Sequence, residues 1–221
     1  MHALVLLALL SLTGPSTGPP PPPGDDPDDA TEEVLVTAER PLSAASDQTI
    51  RNQDFASFPR RSASDLLRFV PGLHITQHTG GAKAHQIFLR GFDAEHGRDV
   101  AASLDGIPLN EVSHVHGEGY LDLHFLIPET LSGIRTLKGP YDARCGDHSS
   151  AGVIDFLPYT RRPWNGSVTL GAGTNPAGEV LLQGSGRWLG MDTLAAVHVD
   201  HDEGFTDPGR MTAARALLHH V

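Results

Sequence analysis

Hydrophobic positions in this chain come in short runs, each closed by glycine, proline or aspartate, and most alternate in the manner of strands. Val100 to Leu104 and Ile107 to Leu109 flank Asp105-Gly106, a pair suited to a two-residue hairpin because both turn positions need positive φ. Gln86-Ile-Phe-Leu-Arg-Gly91 predicts a strand with Ile87 and Leu89 on one face and Phe88 and Arg90 on the other. Ile134 to Lys138 and Val153 to Leu157 predict two more, joined through Gly139-Pro140 and a small-residue loop from Gly146 to Gly152. A further short strand is expected near Gln48 to Arg51. Helical signals are local. Ser62-Ala-Ser-Asp65 is a capping-box pattern ahead of Leu66, Leu67, Phe69 and Val70, with Pro71-Gly72 as its stop, and Pro128 suits a first helical position. Those apolar side chains are read as core.

The two ends have a different texture. Ala3 to Leu12 is an apolar run of the length of a secretory h-region, too short to span a bilayer as a helix. Pro15 to Pro23 and the acidic block Gly24-Asp-Asp-Pro-Asp-Asp29 read as an extended tether. Glu32-Glu-Val-Leu-Val-Thr-Ala-Glu39 is then a β-prone island on a flexible spacer, which strand addition to a partner's sheet edge requires. After Arg161-Arg162-Pro163-Trp164, Val168, Leu170 and Ala172 alternate with Ser167, Thr169 and Gly171, and Ala195, Val197 and Val199 alternate with His198 and Asp200. That alternation fits membrane strands, with Trp164 and Trp188 as interface aromatics, and fits the strands of a soluble sandwich equally well.

Charge removes one class of partner. The formal net charge is −11 and no basic run occurs, so no surface is built to neutralise nucleic-acid phosphates. Lys83 and Lys138 are the only lysines, and Cys145 is the only cysteine, so no intrachain disulfide can form.

Lys138-Gly139-Pro140, Tyr141, Gly146 and Ser150-Ala151-Gly152-Val153-Ile154 together resemble the closing motif of the plug domain in TonB-dependent outer-membrane receptors. That family usually writes Arg-Gly-Pro and a second glycine where Lys138 and Ala151 stand here. Ser-x-x-Asp-Leu-Leu-x-x-Val-Pro-Gly-Leu73, Arg90-Gly91 and Ser103-Leu-Asp-Gly-Ile-Pro-Leu109 are similar to further plug elements, in the family's order. The resemblance implies an α+β fold: a small mixed-sheet plug domain with short helices, followed by a few antiparallel strands of an incomplete transmembrane β-barrel. It implies a signal peptide at 1–18, a Pro/Asp-rich linker at 19–31, a TonB box at 32–39, the plug at 40–160 and the first barrel strands at 161–221. Glu33, Val34, Leu35, Val36, Thr37 and Ala38 would pair with the TonB C-terminal domain, and Arg90 and Lys138 would face carboxylates on the inner barrel wall. The plug and N-terminus would lie on the periplasmic side of the outer membrane, and the cargo would be a metal chelate such as a siderophore, cobalamin or a metal. Membrane strands need about 9–11 residues each, so the tail after Trp164 supplies about four, against about eight in the smallest closed barrels. A fragment of a longer receptor is therefore expected. The alternative is a soluble periplasmic plug-like binding or signalling module without a pore.

One stretch carries candidate chemistry. In His114-Val-His116-Gly-Glu-Gly-Tyr-Leu-Asp-Leu-His124, His-x-His places two imidazoles on one side if extended, and Glu118, Asp122 or His124 could complete a transition-metal site. The alternative is a polar loop packed between plug and barrel. His74, His78, His85 and His96 add to the metal reading only if they converge in space. No resident cofactor is implied and the chain is read as a non-enzyme: a metallohydrolase needs a second His pair, and Gly184-Ser185-Gly186 lacks the frame of a nucleophile elbow.

Overall fold

The computed structural model describes residues 46–78, 83–162, 166–173, 177–204 and 209–221. Packing divides the chain between Glu39 and Arg40 into two units. The first, with the expected signal peptide, linker and 32–39 strand, lies outside the described residues, as do Gly80-Gly81 and Trp164.

The second unit begins with β1 (Asp47–Arg51), a one-turn helix α1 (Asn52–Phe55) and a 3₁₀ segment, Ala63–Phe69. Asp65 closes the capping box foreseen at Ser62, its carboxylate accepting the Ser62 and Arg61 N–H groups. β2 (Leu73–Thr76), β3 (Gln86–Leu89) and β4 (Phe92–Ala94) form a three-stranded antiparallel sheet. β5 (Val100–Leu104), β6 (Ile107–Pro108), β7 (Leu131–Lys138) and β8 (Gly152–Pro158) join β1 in a five-stranded sheet ordered β1-β7-β8-β5-β6. It is a mixed sheet, because β5 runs parallel to β8 while the other neighbours are antiparallel. The smaller sheet was not anticipated. Its hairpin turns on Arg90 (φ 52°) and Gly91 (φ 81°), so Arg90-Gly91 reverses the chain where the sequence suggested only the end of a strand. Asp105 (φ 51°) and Gly106 (φ 77°) make the hairpin that was expected.

Both sheets and the 3₁₀ segment bury one apolar cluster, which includes Phe55, Leu66, Leu67, Ile87, Leu121, Ile134, Ile154 and Phe156. The chain then leaves this domain and forms a four-stranded antiparallel sheet from β9 (Gly166–Gly173), β10 (Ala177–Trp188), β11 (Met191–Asp202) and β12 (Met211–His220), in the order β12-β11-β10-β9. The register puts Leu182 opposite Val168 and Val197, and Leu181 opposite Thr169 and His198. Side chains alternate across a sheet, so one face carries Val168, Leu170, Val180, Leu182, Val197, Val199 and Leu218. That apolar face is the open one: Val168 is 66% and Leu170 74% exposed. The opposite face carries Glu179, Gln183, Ser185, His198, Asp200 and Arg215, and His198 is only 4% exposed. A water-soluble sheet buries its apolar face and leaves the polar one in solvent. This wall does the reverse, which is the arrangement of a β-barrel wall in lipid. Among the described residues no helix is long and apolar enough to cross a membrane.

The polar face packs on the first domain. Ile127 inserts against Leu181 and Ala196, with Leu217 beside them. Arg61 pairs with Asp202 at 2.7 Å, and Arg162 N–H donates to Ser185 Oγ at 2.9 Å. Arg215 donates to the His124 carbonyl and to Asp200, while His198 bridges Arg215 and Glu179. At the lower end of β12, His219 approaches the Tyr159 carbonyl at 3.1 Å and Asp105 at 3.2 Å.

Candidate functional site

The end of β5 that lies away from the Asp105-Gly106 turn gathers half of the histidines described in the domain. Asn110 shapes it: its amide donates to the Val100 and Gly119 carbonyls, and its Oδ1 accepts the Ala102 N–H. This folds the loop after β6 back over the start of β5, and an isolated bridge between Glu111 and Tyr120 closes it. Tyr120 is buried, and its hydroxyl accepts the Ala84 N–H at 2.9 Å, tying this loop to the segment before β3.

Three imidazoles from two stretches of chain meet around that ring, and a fourth, His78, lies beside one of them. His114 stacks on Tyr120 with centroids 4.0 Å apart and planes 14° from parallel. His116 lies 5.3 Å from His114, 5.9 Å from His96 and 5.7 Å from Tyr120. His96 lies 5.5 Å from Tyr120 and 6.0 Å from His78. The backbone of His96 is in the left-handed region (φ 50°), which a non-glycine residue adopts only when its surroundings impose it. Those surroundings are its O accepting the Leu121 N–H at 2.9 Å, and its Nδ1 donating to the Ala84 carbonyl at 3.1 Å. A carbonyl can only accept, so Nδ1 carries a proton, and Nε2 is the nitrogen that offers a lone pair in the neutral ring. Gly97 admits no side chain, since a Cβ there would come within 2.6 Å of Leu121.

His124 belongs to a neighbouring group. It stacks on His85 at 5.3 Å and bonds Asp122 through Nδ1 at 2.6 Å. Burial, then the charge of His124, pushes His85 below its ordinary 6.5, and its buried Nδ1 has no hydrogen-bond partner among the described residues. Burial acts to raise the Asp122 carboxyl, but its bonds to His124 hold it below 3.8. Of the four residues expected to bind metal, then, His114 and His116 come together, His124 is engaged with Asp122 and His85, and Glu118 is exposed on the same loop. His78 and His96 join from elsewhere in the chain. His74 stands apart on β2 beside Phe88. Among the described residues no three His, Cys, Asp or Glu side chains lie close enough, as they stand, to hold a metal ion.

Arg90 and Lys138 are neighbours inside the domain. Arg90 donates to Ser46 Oγ and the Lys138 carbonyl, and Lys138 donates to the Pro71 carbonyl. Lys138 is 5% exposed, and burial, then the adjacent guanidinium, lowers its pKa. Among the described residues the links to the wall include Arg61, Asp105, His124 and Ile127, none of which sequence reasoning assigned to it. Cys145 is partly buried, and burial followed by the Asp142 charge raises its thiol.

The family description TonB-dependent Receptor Plug Domain matches residues 42–153, just over half of the chain. The chain is similar to the vitamin B12 transporter BtuB of Vibrio vulnificus, 29% identical over 150 residues that make up 65% of this chain and 23% of that protein. Its fold is similar to the siderophore receptor PirA from Acinetobacter baumannii (TM-score 0.54, 21% identity, 72% of this chain and 25% of that one). It is similar also to the ferric yersiniabactin uptake receptor FyuA from Yersinia pestis (TM-score 0.53, 18% identity, 71% of this chain and 24% of that one). The chain thus spans about a quarter of the length of the relatives it matches.

Proposed function

The chain belongs to the TonB-dependent receptor plug-domain family, and from that premise we propose that it supplies the gate and the first wall strands of an outer-membrane uptake receptor. The observation that carries this reading is the inverted wall: apolar side chains face outward and the polar face closes on a separately cored domain. Such a domain inside a barrel is a stopper. Cargo would bind at the histidine-bearing end, facing outward, while the opposite end and the N-terminus face the periplasm. Glu33 to Ala38 would add as a strand to the TonB C-terminal domain, and a pull transmitted from the inner-membrane proton gradient would shift the plug. No bond of the cargo is broken by this chain. Arg90, exposed beside the buried Lys138, would be the one of that pair to face wall carboxylates. The names of the relatives, a cobalamin transporter and siderophore receptors, make a metal-bearing chelate the cargo class to test first.

Fractionation tests the location: the protein should require detergent for release from outer membranes, and release by osmotic shock would instead mark a soluble periplasmic module. Capture by the TonB C-terminal domain tests the partner. Val34→Pro with Val36→Pro removes two ladder donors and should abolish capture; undiminished capture would move the contact away from residues 33–38.

A further inference from the structure

We infer that the plug end bearing His114 and His116 is a binding site for a divalent transition-metal ion of the Zn(II), Ni(II) or Cu(II) type, held by imidazoles of His96, His114 and His116 with His78 as the fourth. That this ion is cargo rests on the uptake reading; that this end of the plug binds it does not.

Three consecutive spacings come close to what a shared ion needs, and rotation of side chains has to supply the rest, since no three of the groups hold an ion as they stand. A tetrahedral ion with metal–nitrogen bonds of about 2 Å holds two imidazole centroids about 5 Å apart. The observed steps are 5.3 Å (His114 to His116), 5.9 Å (His116 to His96) and 6.0 Å (His96 to His78). Side-chain rotation of the exposed His116 and His78 would close that difference, and the loop that carries His116 is open, with Val115 90% exposed. The fixed member is His96. Its Nδ1–H bond to the Ala84 carbonyl is the outer-shell contact that orients a metal-ligating histidine and leaves Nε2 to the ion. His114 needs one exchange, because its Nδ1 accepts the His116 N–H at 3.2 Å and either nitrogen can take up the ion once that bond opens.

Charge supports it as well. Every other short histidine–carboxylate approach is taken: His124 with Asp122, His198 with Glu179, His201 with Glu203 and His219 with Asp105. Among the described residues none of the four clustered imidazoles has a carboxylate within ion-pair distance. Imidazoles packed together gain little from one another, and a borderline-soft cation is a ligand that their ring nitrogens suit.

The test titrates the full chain in detergent with Zn(II), in competition with a chromogenic chelator. One ion per chain is expected. His114→Ala with His116→Ala should weaken binding by at least ~100-fold, the upper end of what loss of an outer-shell partner alone costs, while His219→Ala with His220→Ala leaves it unchanged. Unchanged affinity in the first pair, or no saturable binding by the parent chain, overturns the site. A second measurement needs no variant: Co(II) should broaden the ring-proton resonances of His78, His96, His114 and His116 and spare those of His198. Broadening centred on His198 or the His219-His220 end would overturn the assignment. TonB capture is measured separately, so failure of metal binding leaves the uptake reading standing and failure of capture leaves the metal site standing.

Discussion

The plug and the wall use the same kinds of side chain in opposite directions. In the plug, Phe55, Leu66, Ile134, Ile154 and Phe156 face one another and the charged groups, Lys138 apart, are not part of that core. In the wall, Val168, Leu170, Val197 and Leu218 face out, and Glu179, His198, Asp200 and Arg215 are turned in. One chain is therefore folded against two solvents, with water setting the plug and hydrocarbon setting the outer face of the wall.

The contrast can be broken most severely in the plug. Phe156→Ala on β8 should cost about 3–5 kcal/mol, because a fully buried ring leaves a cavity the two sheets cannot close. Denaturant melting of the plug signal should show it, with wall strands retained in lipid. Next comes the outer face of the wall. Val197→Arg, mid-strand and outward, should cost about 2–4 kcal/mol of folding in lipid vesicles. A cost near zero for Arg at Val197 would show that this face does not meet hydrocarbon.

The third prediction uses pH. His85 binds its proton less readily when folded than the ordinary 6.5, through burial and then His124. Between 6.5 and the lower folded value the unfolded chain holds more protons, so stability falls as pH drops below 6.5 and levels off once pH passes the folded value. The thermal midpoint of the parent chain should fall on acidification from 6.5, and less so in His85→Phe, which keeps a ring against His124. Asp122 titrates in a lower window, below 3.8, where its lowered carboxyl costs stability as it takes up a proton. Equal acid slopes in the two proteins would remove His85 as the cause. The smallest effect belongs to Arg61→Ala. Its pair with Asp202 joins plug to wall, but Arg61 is largely exposed, so less than about 1 kcal/mol should be lost, and less again in high salt.

Much of the plug was legible because its signals are local. The Asp105-Gly106 hairpin, the Ser62 capping box and Pro128 at a first helical position each depend on a few adjacent residues, and each is present. Arg90-Gly91 escaped notice because arginine carries no turn signal of its own; bonds to Ser46 and the Lys138 carbonyl, remote in sequence, surround it. Alternation after Gly166 announced strands without saying which face meets lipid, and the packing of Ile127, Arg61 and His124 decides that. The site was half legible. His114 and His116 are two residues apart, whereas His78 and His96 reach them only because Tyr120 and Ala84 tie separate segments together.

β1 lies at the edge of the five-stranded sheet and is the described strand nearest the N-terminus. Among the described strands it pairs with β7 alone, with Asp47 opposite Leu137 and Arg51 opposite Gly133. Tension arriving from upstream therefore loads the Ser46 end first, where Ser46 accepts from Lys138 N–H and from Arg90 and Asp47 meets Arg135. Rupture there would unzip one short ribbon while β7, β8 and β5 stay joined. A domain so arranged would yield from one corner, giving a tug a defined place to begin without dismantling what lies behind it.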